Sequence, residues 1–370
     1  MSTPVTTPAA PGPGGSAPSG PTVEPEEAER VSAGRRVVDR LIRARELGLI
    51  VVLIAIVAIT GAIEPNFLDA DSLKQTVLNV AIIAVMTAGM TLVIVTRNID
   101  LSVGSILGLS AFLCGDFLTK NPSVPWIVGV LIAILIGAAC GLLNGVLVTW
   151  GRVPALVVTL GTMYALRGVA FLVTGGRQIN AEDLPDSFLK VGSGDLLGVP
   201  TLIVLAVVVI VLFWFITRDY AWGRQLYAIG SSGRSGGQAA KLAGLKSDRR
   251  VTQAFVISGA LAGLGGAMYA ARYGTVDATG GQGYELRVIG AAVVGGVAIA
   301  GGSGTVFGAA LGAVVLGTIQ TALIVLKIDD FWQQAIVGLL IIVAISLDRL
   351  ITNQSEALLR QRSARRRTAA

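Results

Sequence analysis

Histidine is absent from this sequence. That removes the commonest metal ligand and the side chain most used to move protons near neutral pH. Cysteine occurs twice, as Cys114 and Cys140, both inside apolar stretches. This argues against a disulfide and leaves the redox compartment unread. Charge is scarce: 14% of the residues are Asp, Glu, Lys or Arg, where a soluble domain carries about 25%. No Gly-Lys pair occurs anywhere. The phosphate-cradling pattern G-x-x-x-x-G-K-[ST] is therefore missing, and ATP hydrolysis by the chain itself has no motif to rest on. No HExxH or CxxC pattern occurs either. An enzyme reading has no catalytic constellation, and no metal site or cofactor is expected.

What the chain has instead is apolar length. Hydrophobic residues make up 53% of it, and the mean hydropathy is +0.73. Charges gather in the tails and a few loops. A bilayer core of roughly 30 Å needs about 20 apolar residues per helix. Backbone groups in lipid must bond within their own segment, so such runs read as helices. The 47 glycines fit the same reading. Helices in lipid associate by close packing of small residues, and the pairs Gly104/Gly108, Gly137/Gly141/Gly145, Gly259/Gly263 and Gly308/Gly312 have the required spacing. Generic helix packing is the preferred reading of these pairs over a dedicated dimer seam.

Along the chain, residues 1–28 are rich in Pro, Gly, Ser and Thr and read as a disordered tail. The first long apolar run starts near Leu47, too late for a cleaved signal peptide. Residues 29–46 carry Arg35, Arg36, Arg40, Arg43 and Arg45 around Val37, Val38, Leu41 and Ile42. They predict a basic interfacial helix lying on an anionic membrane surface, with a solvated basic linker as the alternative; no nucleic-acid partner is expected. A transmembrane domain is expected over 47–349, and a basic tail over 350–370. About ten spans are predicted, near 47–63, 76–96, 102–118, 126–150, 153–174, 201–217, 251–272, 289–300, 304–326 and 335–348. The eighth is too short to cross upright, and its Gly-rich flanks predict a broken or re-entrant segment. The fold class is thus an all-α integral membrane protein, a polytopic bundle of about ten helices. Lys and Arg concentrate in loop 218–250 and the C-terminal tail, while loops 64–75 and 177–200 are acidic. The expected orientation puts both termini in the cytoplasm.

The largest cytoplasmic loop reads YAIGSSGRSGGQAAKLAGLKSDRR from Tyr227 to Arg250. Gln238 to Leu245 can form two helical turns with small side chains at Ala239, Ala240 and Ala243, stopped by Gly244. On spacing alone it is either a connecting loop or a docking element for a soluble partner. The loop resembles the coupling loop of ABC importer permeases at Gln238, Ala239, Ala240 and Gly244, with Gln in place of the family's acid. It departs from the family in the longer, Gly-rich stretch Ser231 to Gly237. Asn98-Ile99-Asp100-Leu101-Ser102-Val103-Gly104-Ser105 is similar to the segment opening the third helix of ribose- and xylose-type sugar permeases. Gly141-Leu142-Leu143-Asn144-Gly145, Thr159-Leu160-Gly161-Thr162, and the Gly-rich stretch from Ile289 to Thr305 look like further signatures of the same family. The resemblance covers about residues 47–349.

The resemblance implies a bacterial inner-membrane importer subunit for a monosaccharide, with a weak lean to the rhamnose or autoinducer-2 branch. It implies a separate ATPase subunit that binds the ATP, an extracytoplasmic sugar-binding protein, and a second permease subunit, identical or not. A permease for branched-chain amino acids or nucleosides is the alternative, and an ion-driven secondary transporter is disfavoured because no acid is clearly placed at mid-span.

A sugar losing water on entry needs inward polar groups, and the candidates are Asn98, Asp100, Ser102, Asn144, Thr159 and Thr162. Each has an ordinary alternative: Asp100 or Ser102 as a helix cap, Asn144 as an interhelical hydrogen bond. Arg167 falls inside a span, where a structural pairing is the preferred reading. Tyr284, Phe331 and Trp332 read as interfacial anchors.

Overall fold

The computed structural model describes residues 46–231 and 244–329, with Ala240, Leu242 and single residues between 332 and 346. The expected tail 1–28, basic helix 29–46 and tail 350–370 lie outside the described residues, apart from Glu46. So do Phe331 and most of the tenth predicted span.

Helices account for nearly all the described order. In chain order they are α1 Glu46–Ile63, α2 Ala70–Val95, α3 Val103–Lys120, α4 Trp126–Thr149 and α5 Ala155–Thr174. Then come α6 Asp186–Ser193, α7 Thr201–Asp219, α8 Ala221–Ser231, α9 Ser247–Tyr273, α10 Tyr284–Val294 and α11 Val306–Val325. Among the described residues the sheet is limited to a hairpin of β1 Asp195–Leu196 and β2 Val199–Pro200. Eight helices (α1 to α5, α7, α9 and α11) are long and apolar enough to cross a membrane. Several begin earlier than the apolar runs suggest: α2 starts at Ala70 and α9 at Ser247. A helix satisfies its backbone past the end of the hydrocarbon, so polar residues extend it where hydropathy has already fallen.

Burial sorts the helices into centre and rim. In α2, 89% of the apolar window is buried, against 11% in α1. The centre is α2, α3 and α9, while α1, α4, α5 and α7 turn apolar side chains outward. The tightest seam joins α4 to α9. A Cβ on Gly141 would overlap the Phe255 carbonyl, and one on Gly259 would overlap the Gly137 carbonyl. Backbones approach here as only small residues allow. The Thr149 and Thr252 hydroxyls, 3.0 Å apart, close one end of the seam.

Two segments break the bundle inside its own thickness. Gly89 of α2 packs on Ser258, about 17 Å along the roughly 40 Å of α9 at 1.5 Å per residue. On that scale α2 stops at Val95, about 8 Å from the Ser247 end of α9. Leu107 of α3 packs on Gly266, which places the start of α3 at about 22 Å. Residues 96–102 therefore climb to about mid-bundle before helix resumes. This corrects the expectation that no acid sits near mid-span: Asp100 is there and fully buried.

The second break follows α9. Residues 274–283 turn back inward until Gly280 and Gly281 lie against Gly108 and Gly104. The short helix α10 then carries the chain to the α8 end, where Gly302 N–H donates to Val95 O at 2.9 Å. α11 returns, capped by Thr305 Oγ1, which accepts from Gly308 N–H at 2.8 Å. The expected broken segment is thus a stretch of turns plus a half-length helix. Tyr284, expected as an interfacial anchor, is instead buried at the start of α10 against Tyr269.

Candidate functional site: the mid-bundle break and its link to α8

The break at 96–102 is held by polar side chains. Asp100 Oδ1 accepts from Ser102 N–H at 2.9 Å and from Ser102 Oγ–H at 2.6 Å. Of the two caps expected for α3, Asp100 folds over the chain, while Ser102 makes no side-chain cap. Ser102 Oγ in turn accepts from Asn144 Nδ2 at 2.8 Å. Thr159 Oγ1 donates to Ile99 O at 3.1 Å. Asp100, Ser102, Asn144 and Thr159 are all fully buried. Four of the six predicted pathway residues therefore meet at one point, drawn from α4, α5 and the break. The other two stand beside it. Asn98 Nδ2 donates to Thr96 O and Oγ1, both at 3.0 Å, and Thr162 Oγ1 to Thr159 O at 3.3 Å.

The cluster holds more acceptors than donors. Asp100 Oδ2 and Asn144 Oδ1 are buried without a hydrogen-bond partner among the described residues. Beside it, Glu285 Oε2 on α10 is also buried and unpartnered, close to Gly104. An unmet buried polar atom costs about 1–3 kcal/mol. Such a site can stabilise a donor, whether a water or a hydroxyl, brought to it.

A second junction ties the break to α8. Arg97 has a left-handed backbone, φ 69°. Its Nε donates to Gly230 O at 2.6 Å, at the last turn of α8. Gly301 packs on the Arg97 stem, and Gly302 N–H bonds Val95 O. The first break and the loop between α10 and α11 thus meet the end of α8 at a single point. α8 itself is clamped to α9: Trp222 Nε1 donates to Gln253 Oε1 at 2.8 Å, and Arg250 Nε to Gln225 Oε1 at 2.6 Å. Beyond α8, Gln238, Ala239 and Ala243 lie outside the described residues. Ala240 is buried and Leu245 N–H donates to its carbonyl at 3.0 Å. Gly244 takes φ 76°, the left-handed stop that its type predicts.

Arg167 Nη2 donates to Ser105 Oγ at 3.4 Å, a structural pairing inside the bundle. Arg97 and Glu285 were not anticipated. The signal for Arg97 was a charge placed directly after a long apolar run. For Glu285 it was an acid at the mouth of the Gly-rich segment. Among the described residues no group of His, Cys, Asp or Glu could hold a metal ion.

Comparison with known proteins fits this architecture. Residues 72–345 match the family model described as "Branched-chain amino acid transport system / permease component". The autoinducer 2 import system permease protein LsrC of Escherichia coli (strain K12 / DH10B) is 34% identical over 322 residues, covering 87% of this chain and 92% of that protein. LsrC of Salmonella typhimurium is 34% identical over 322 residues, 87% of this chain and 90% of that protein. No solved structure matches the chain. The long buried spans and the matching signatures lead to one statement: this chain belongs to the multi-pass membrane permease family of ABC importers, whose members are transport subunits and not enzymes.

Proposed function

We propose that this permease carries autoinducer 2, or a small sugar-like solute of that kind, inward across the cytoplasmic membrane. The reading takes its solute from the relatives, which are autoinducer 2 import permeases. Rhamnose and pentoses remain competitors within the same class. The family description favours a second reading, branched-chain amino acid import. The α8 end is cytoplasmic in this reading, and both termini lie on that side. Arg152, Arg218, Arg224, Lys246, Arg249 and Arg250 gather there, while the opposite end carries Glu64, Asp69, Asp71, Glu182, Asp183, Asp186 and Asp195.

One observation carries the mechanism: the bond from Arg97 Nε to Gly230 O. An ATPase that grips the 218–250 loop, at Gln238, Ala239, Ala240, Ala243 and Gly244, would pull directly on α8. Arg97 would pass that pull to the 96–102 break and to the loop before α11. Asn98, Asp100, Ser102, Asn144, Thr159 and Thr162 then form the polar wall that opens to the solute. The ATPase must bind one conformation better than the other, or it could not shift the equilibrium. A second permease subunit completes the pathway, and an extracytoplasmic binding protein delivers the solute.

The test is reconstitution in liposomes with the cognate ATPase and binding protein. Autoinducer 2 should be concentrated only in the presence of ATP and both companions. Retention of leucine but not of autoinducer 2 by the binding protein would replace the solute. Uphill uptake by the permease alone would remove the mechanism.

A further inference from the structure

A cleft of about 490 Å³ opens at the α8 end between α4, α8 and α9, outside the polar cluster. Its lining changes character along the membrane normal. Leu142, Val256 and Ile257 form the deep wall. At 1.5 Å per residue Val256 stands about 14 Å along α9 from Ser247, and Leu142 about 10 Å from the Thr149 end of α4, deeper than Arg249 and Gln253. Two indoles, Trp150 and Trp222, flank the mouth, where interfacial aromatics belong. Arg249, Gln253 and Thr252 complete the lining, and none of the lining residues is acidic.

The mouth has hydrogen-bond donors to spare. Arg249 is exposed and has no hydrogen-bond or ion-pair partner among the described residues. Nearby cations are committed: Arg152 pairs with Asp248 at 3.1 Å, and Arg250 with Gln225 and Gln253. Gln253 Oε1 accepts from both Trp222 and Arg250, which leaves its amide nitrogen as the group with hydrogen-bonding capacity to offer. Trp150 Nε1 also has no partner among the described residues, and the side chain is 67% exposed. A guanidinium, an indole N–H and a primary amide therefore stand above an apolar slot.

We propose that this cleft is a binding site for one anionic phospholipid of the cytoplasmic leaflet. An acyl chain lies against Leu142, Val256 and Ile257, and the phosphate rests on Arg249 with Trp150 and Gln253 beside it. Charge complementarity commits the occupant. A zwitterionic lipid would bring a cation to a mouth that already carries one, and a free anion would leave the apolar wall empty. Because Trp222 and Arg250 also clamp α8 to α9, the lipid sits against the same hinge that anchors the coupling end. The site itself does not depend on which solute is carried or on whether α8 couples to an ATPase.

The experiment is native mass spectrometry of the full-length permease, released from nanodiscs containing equal phosphatidylglycerol and phosphatidylcholine. The expected result is one retained phosphatidylglycerol, favoured about fivefold, as one interfacial charge near 1 kcal/mol allows. Arg249→Ala should abolish the preference, and Arg249→Lys should keep most of it. Leu142→Trp should remove the adduct while the protein stays monodisperse on gel filtration, and Ile257→Trp should repeat that result from the other wall. Equal retention of the two lipids, or a preference that survives Arg249→Ala, overturns the proposal. So does loss of ATPase copurification with the lipid adduct intact in Leu142→Trp, which would make the cleft a protein-docking groove.

Discussion

Asn144 of α4 donates its amide hydrogen to the Ser102 hydroxyl at 2.8 Å, across 42 residues of sequence, with both side chains fully buried. This bond fixes the height at which α3 begins. A hydroxyl that donates to Asp100 can accept from a donor behind it, and Asn144 supplies one from α4, outside the break.

Asn144→Leu should therefore destabilise the permease. It strips a donor from Ser102 and leaves the Asp100 pair less enclosed, at a cost of about 1–3 kcal/mol. Thermal unfolding in detergent should show the loss, and uptake should fall with it. An unchanged unfolding temperature would mean that the break is held elsewhere.

Arg97→Ala should behave differently, since its side chain is solvent-exposed and its charge-assisted bond lies at a junction, not in the core. Uptake should fall while solute-stimulated ATP hydrolysis persists, giving more ATP spent per solute moved. Arg97→Lys should recover part of the coupling. Measuring both rates in the same proteoliposomes decides it.

Substitutions in the coupling loop should also uncouple without unfolding. Ala239→Asp places a charge where a small side chain is expected to meet the ATPase. Gly244→Trp forces a left-handed residue to carry a Cβ, which costs about 1–2 kcal/mol locally. ATPase copurification should weaken in both, with the helical circular dichroism unchanged. Full uptake in both variants would end the coupling assignment.

Glycines should sort by contact and not by motif. Gly259→Val drives a side chain into the Gly137 carbonyl and should cost about 1–3 kcal/mol or more, as overpacking does. Gly161→Ala and Gly168→Ala meet nothing within 4 Å and should leave the subunit's stability unchanged or slightly higher, since Ala is the better helix former. Thermal unfolding of the three variants side by side gives the ranking.

The runs around Val80, Leu131 and Val208 were legible as spans because lipid allows a long apolar segment only one way to bond its backbone. The Gly141 and Gly259 seam was legible as packing, though its pairing was not, since spacing names a face and not its neighbour. Asp100 was legible as polar and as a cap, but not as buried. Hydropathy reads a polar segment as leaving the membrane, and this one sinks because Asn144 and Thr159 replace its water. Tyr284 was misread for the same reason: residues 274–283 turn back inward, so a residue placed by count at the surface lies inside. The clamp of Trp222 on Gln253 had no local signal at all.

The sequence by itself determined that the chain would live in lipid as a helical bundle, since apolar length and backbone satisfaction are local properties summed along the chain. It also marked the Gly-rich stretch after Ile289 as a place where a full-length span would be interrupted. Only the tertiary structure decided that residues 96–102 and 274–283 sink into the bundle, and that the first of these and the loop before α11 meet α8 at Arg97 and Gly302. Depth and convergence depend on which surfaces meet, and contacts between residues far apart in the chain leave no periodic trace within it.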